Sequence, residues 1–112
     1  MLDFWFVYVV RCGDGSLYTG IARDVEARIA AHAAGRGARY TRSRGPFELC
    51  ATRRCASKTN ALRLELAIKR LARSQKEALL GDGQLAKFAR GALRAASKKA
   101  NRRLETPRST GR

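Results

Sequence analysis

The sequence predicts a small α/β domain built on a three-stranded antiparallel sheet, with the elements in the order β-β-α-β-α-α. Three observations carry this. The chain opens with two runs of β-branched and aromatic residues separated by Gly13-Asp14-Gly15. A third such run occupies 47–55, and apolar residues at helical spacing, each set behind a good N-cap, lie before and after it. At 112 residues the chain has room for one modest core.

Residues 4–11 and 16–21, bounded by glycines, read as the two strands of a hairpin. The first is apolar at both parities, which suggests burial on both sides. The loop length decides where the tyrosines point. A two-residue loop would put Tyr8 and Tyr18 on opposite faces. A three-residue loop, with Gly15 left-handed in a G1 bulge, sets position 10 opposite position 18 and brings both phenols to one face. The glycine on each side of Asp14 makes the longer loop the better reading. The plainer alternative is that both tyrosines are ordinary strand packing residues.

Asp24 caps "DVEARIAAHAA", a helix expected to turn Val25, Ile29 and Ala33 inward. The loop 35–46, "GRGARYTRSRGP", carries Arg36, Arg39, Arg42 and Arg44 around Tyr40 with no acid, a composition suited to phosphates and to stacking a base. The third strand, 47–55, leads to Ser57, the cap of a long helix over 58–73 in which Ala61, Leu64, Ile68 and Leu71 share a face. Shorter helices are expected over 74–80 and 84–96. The organisation is therefore a main domain over 1–83, a C-terminal helix over 84–96 and a basic tail over 97–112, expected to be disordered.

Against 24 Lys and Arg stand 9 Asp and Glu, a formal charge of +15 that makes a polyanion, nucleic acid first, the expected partner. No stretch reaches the roughly 20 apolar residues of a membrane span. "MLDFWFVYVV" lacks the basic start of a signal peptide, so a soluble, cytoplasmic protein with no membrane partner is expected. Cys12, Cys50, Cys55 and the single histidine, His32, are at unfamiliar spacing for zinc, and the cysteines read as reduced core residues. HExxH and P-loop patterns are absent.

Three residues on the helices do not look like core. Glu65 interrupts the apolar stripe of the second helix, where an unpaired buried charge costs several kcal/mol. An ion pair with Lys69, four residues on, offers a plain explanation worth only about 0.2–0.5 kcal/mol. On the first helix Arg28 and His32 share a face at the rim of the Val25/Ile29 stripe. With the two tyrosines they form a candidate constellation.

Tyr8, Tyr18-Thr19-Gly20, Arg28 with His32, "RYTRSRGPFEL", and Glu65 inside "ALRLELAIKRL" closely resemble the GIY-YIG endonuclease superfamily, in particular its small single-domain YhbQ-like branch, over roughly residues 4–80. The name motif is degenerate, reading Phe6-Val7-Tyr8 and Tyr18-Thr19-Gly20. The resemblance implies the GIY-YIG fold and metal-dependent hydrolysis of phosphodiester bonds in DNA, with RNA as the alternative substrate, on branched, nicked or single-stranded structures and in DNA repair or processing. Carried over, it implies that Glu65 holds a single Mg²⁺ or Mn²⁺ ion, that Arg28 stabilises the transition state, and that Tyr8 and Tyr18 orient or deprotonate the attacking water. Gly20 would permit close backbone approach. Arg36, Arg39, Tyr40, Arg42, Arg44 and Lys69 are the expected nucleic-acid contacts. An unperturbed phenol of pKa about 10 is only about 0.1% ionised at pH 7, so His32, near 6.5, competes with Tyr18 as the base. Two departures stand out: Ile21 replaces the Lys or Arg many relatives carry after the second glycine, and "SQKEALL" offers no Asn. They leave open a non-catalytic nucleic-acid-binding module or a nuclease subunit activated by a partner protein. A monomer is expected otherwise.

Overall fold

The computed structural model describes residues 4–95. Strand β1 (Trp5–Arg11) lies between β2 (Leu17–Ala22) and β3 (Glu48–Cys55), antiparallel to both. Helix α1 (Val25–Ala33) joins β2 to a loop with a 3₁₀ turn at Arg39–Thr41, and α2 (Lys58–Lys69) and α3 (Arg73–Ala78) follow β3. Residues 84–95 are also helical and are called α4 here. The expected tail over 97–112 lies outside the described residues. Among the described residues no helix is long and apolar enough to cross a membrane.

The hairpin takes the three-residue loop. Val10 pairs with Tyr18 and Arg11 with Leu17, Gly15 donates to the Cys12 carbonyl at 2.9 Å, and Gly15 has φ of 85°. Asp14 steadies the tip by accepting from the Ser16 amide at 3.0 Å and hydroxyl at 2.6 Å. Those bonds first, and then Arg44, hold its carboxyl down to about 2.

Because side chains alternate along a strand, β1 feeds two cores. Its odd positions start one that contains Val7, Cys55, Ala61, Leu64, Ile68, Leu79, Leu85 and Ala89, so α2, α3 and α4 all close over that face. The even positions start the other, where Tyr8, Val10 and Ala22 meet Tyr18, Val25, Ile29 and Phe47. Ser57 and Asp24 cap α2 and α1 through bonds of 3.1 Å to the Asn60 and Ala27 amides.

Three sequence expectations are corrected. Helix α2 stops at Lys69, not at residue 73, because Ala72 is extended (φ −67°, ψ 160°) with its amide bonded to Gln75 Oε1 at 2.9 Å, which starts α3 afresh. Helix α3 accordingly spans 73–78 in place of 74–80. On α1, Ala33 is exposed and His32 is the buried residue, 3% exposed. Val25, Ile29 and His32 form the i, i+4, i+7 stripe that a 3.6-residue period requires, so the histidine is core, not rim.

Candidate active site

The constellation assembles on the even face of β1. Tyr8 and Tyr18 lie with ring centroids 6.3 Å apart, and His32 is 6.1 Å from Tyr8 and 5.4 Å, edge-on, from Tyr18. A Cβ on Gly20 would stand 2.5 Å from the Tyr8 hydroxyl and 3.0 Å from the Tyr18 ring. The glycine therefore makes room for the two side chains, not for an approaching backbone.

Behind the tyrosines runs a sealed chain of hydrogen bonds. Thr41 Oγ1 donates to the Ala38 carbonyl at 2.8 Å, which commits its only hydrogen. His32 Nδ1 therefore donates to Thr41 Oγ1, 2.7 Å away, and His32 Nε2 is left to accept from the Tyr8 hydroxyl at 2.9 Å. Tyr8, His32 and Thr41 are 0%, 3% and 1% exposed. Burial lowers the His32 pKa below its ordinary value, with the Arg28 charge acting the same way. Burial also pushes Tyr8 up to about 12, helped by Tyr18 and opposed by Arg28. Both groups are thus neutral near pH 7. Gly37 is obligatory here as well, since a Cβ would fall 1.9 Å from His32 Nδ1.

This geometry bears on two expected roles. His32 has both ring nitrogens engaged and is almost wholly buried, which leaves it no open nitrogen for a water. Tyr8 is equally sealed. Of the three rings, Tyr18 is the part-exposed one.

The charged members come from the two flanking helices. Arg28, exposed on α1, donates to the Ile21 carbonyl at 3.2 Å, and its charge acts on both Tyr8 and His32. Glu65 projects from α2 with its side chain 18% exposed, 3.4 Å from Lys69 Nζ, and its charge also reaches Tyr8. Lys69 Nζ in turn stands 5.9 Å from the Tyr18 ring centroid. The ion pair foreseen as the plain explanation of Glu65 therefore exists, but within the constellation.

Among the described residues no three His, Cys, Asp or Glu side chains gather as metal ligands. One part-buried carboxylate fits a hard divalent ion only when waters and a substrate phosphate complete the shell. The donor set is compatible with such an ion on those terms.

The arginine loop divides. Arg36, Arg39 and Arg42 are exposed. Arg44 is tied to the hairpin instead: it is ion-paired with Asp14, its carbonyl accepts from Gly13, and its guanidinium lies 4.3 Å from the Tyr40 ring centroid. Tyr40 stacks on Tyr18 at 5.8 Å and 25°. Tyr40 is nonetheless 42% exposed, so its ring is partly open while one side stacks within the molecule.

Thr41, Gly37 and Lys76 were not singled out from the sequence. A glycine among bulky arginines was the available hint for Gly37; nothing local marks Thr41 or Lys76.

Known proteins resemble this chain over most of its length. Residues 4–78 match the family model of the GIY-YIG catalytic domain. The chain is 52% identical over 75 residues to the UPF0213 protein BH0048 of Halalkalibacterium halodurans, covering 67% of this chain and 80% of that one. It is 53% identical over 73 residues to the UPF0213 protein VNG_2274C of Halobacterium salinarum, covering 65% and 95%. The solution NMR structure of the UPF0213 protein BH0048 from Bacillus halodurans, 46% identical, matches 74% of this chain and 93% of that one with a TM-score of 0.47. With the family model matched over residues 4–78 and relatives about half identical across that span, the chain belongs to the GIY-YIG nuclease domain family.

Proposed function

We propose that the protein is an endonuclease that hydrolyses phosphodiester bonds in DNA, in the cytoplasm, with the help of a single Mg²⁺ or Mn²⁺ ion. The observation that carries this reading is the meeting of part-exposed Tyr18, Arg28 and Glu65 around the sealed Tyr8–His32 pair. Tyr18, the part-exposed ring, is the residue that touches the attacking water in this reading. Tyr8 and His32 act as positioning residues: the Tyr8 hydroxyl is locked on His32 Nε2, which fixes the wall against which Tyr18 packs. Arg28 neutralises the charge that grows on the non-bridging oxygens as water adds to phosphorus and the bond to the leaving sugar oxygen breaks. Glu65 would hold the ion, which when bound supplies charge neutralisation at the phosphate. Exposed Arg36, Arg39 and Arg42 hold the strand by its phosphates, which gives affinity without sequence reading. Selectivity then rests on nucleic-acid shape, consistent with branched or nicked substrates and a role in DNA processing.

The test is cleavage of labelled branched, nicked and single-stranded DNA, with RNA counterparts, in Mg²⁺ or Mn²⁺. Tyr18→Phe should lose about 10²–10⁴-fold in rate, and Arg28→Ala about 10²–10³-fold. Glu65→Ala should remove the metal response altogether. Salt-sensitive binding with no cleavage, unaffected by metal and by Glu65→Ala, would instead mark a non-catalytic binding module.

A further inference from the structure

Beside the catalytic wall lies a second cavity of about 350 Å³, lined by Leu17, Tyr18, Thr19, Tyr40, Lys69 and Lys76. Among the described residues its charged groups are two ammonium groups, and no carboxylate lines it. Lys69 is already paired with Glu65. Lys76 is half-buried and makes no ion pair among the described residues. An anion in this cavity would meet both ammonium groups at once.

The position of Lys76 is held with care. Its neighbour Glu77 accepts both guanidinium branches of Arg11 at 2.8 and 3.0 Å, which with Arg73 hold its carboxyl down to about 2. Arg73 also donates to the Gly15 carbonyl at 2.7 Å. Helix α3 is thus tied to the hairpin at two places, and Lys76 is delivered to the flank of β2. Bidentate pairs of this kind fix geometry as well as charge.

We infer that this cavity is a subsite for a backbone phosphate of the nucleic-acid strand, next along the chain from the phosphate being cut, with Lys76 as its principal ligand. The inference rests on the proposed nuclease reading and deepens it. Tyr18 is common to both places, so a strand laid over Tyr18 presents consecutive phosphates to the two. Lysine meets phosphate as a point charge, so the subsite positions the strand without reading its bases.

The test separates this inference from cleavage. Binding of the full chain to a labelled oligonucleotide in EDTA, followed by anisotropy over a salt series, should lose about 0.7–0.9 from its log–log salt slope in Lys76→Gln, one phosphate's share. Lys76→Arg should retain the slope, and Lys87→Gln on α4, which removes the same charge elsewhere, should leave it unchanged. Circular dichroism confirms that each variant is folded. In cleavage assays KM should rise in Lys76→Gln while kcat stays. A Lys76→Gln slope equal to that of Lys87→Gln overturns the inference, whether or not the protein cuts. Titration with inorganic phosphate, followed at the Thr19 and Lys76 amides, separates the sources. If phosphate shifts them while the oligonucleotide slope is untouched, the cavity takes free anions and the strand assignment fails.

Discussion

The two faces of β1 are built from alternate residues of one strand, yet they differ in kind. Under α2, α3 and α4 the core is aliphatic, with Val7, Leu64 and Ile68 fully buried. Under α1 it is aromatic and polar: Tyr8, His32 and Thr41 are as deeply buried, but each is held by a hydrogen bond. Aliphatic packing is tolerant in detail and supplies stability. A buried polar chain is intolerant, since one missing member leaves a neighbour unpaired. One face keeps the strand in place, and the other uses that fixed strand to aim its rings.

The comparison breaks most severely on the aliphatic side. Leu64→Ala should cost about 2–5 kcal/mol of stability, measured by denaturant unfolding, while the folded fraction binds and cuts at the parent rate. On the polar side Tyr8→Phe keeps the ring but strips His32 Nε2 of its donor, a loss of about 1–3 kcal/mol. Unlike the leucine variant, it should also lower kcat in the molecules that remain folded.

The gentlest probe is pH. The His32 pKa is depressed in the folded chain, so the unfolded state binds more protons just below its ordinary value of 6.5. The associated stability is complete above about pH 6.5 and is lost as pH falls beneath it, with a slope no steeper than about 1.4 kcal/mol per pH unit. His32 is the single histidine, so its imidazole NMR signal identifies the step. The signal should titrate below 6.5 in the folded protein. A value above 6.5 would mean that the polar face is not sealed.

The sequence made the fold and the site's membership legible for identifiable reasons. Glycines around Asp14 gave the loop its length, hence the shared face of Tyr8 and Tyr18, and the register agrees. Glu65 was visible as a charge inside an apolar stripe. What stayed hidden depended on contacts between distant segments. Asp14 lies 30 residues from Arg44, so the arginine loop read as unopposed although its last arginine is paired. Arg11 and Glu77 are separated by 66 residues, and nothing local announces their bond. The helical period allowed a buried His32, yet Ala33 was read as the inward residue in its place, and the histidine's partner Thr41 sits in a loop without periodicity.

The hairpin tip has a consequence for how this protein can vary. Sheet pairing repeats every two residues, so if the register followed the tip, losing one residue there would set Thr19 in the place of Tyr18 opposite Val10, and gaining one would set Leu17 there. The ribbon would still pair, and no charged group would have been touched. Such an indel offers a route to an inert nucleic-acid binder through arithmetic alone: at this tip, the count of residues carries more information than their identity.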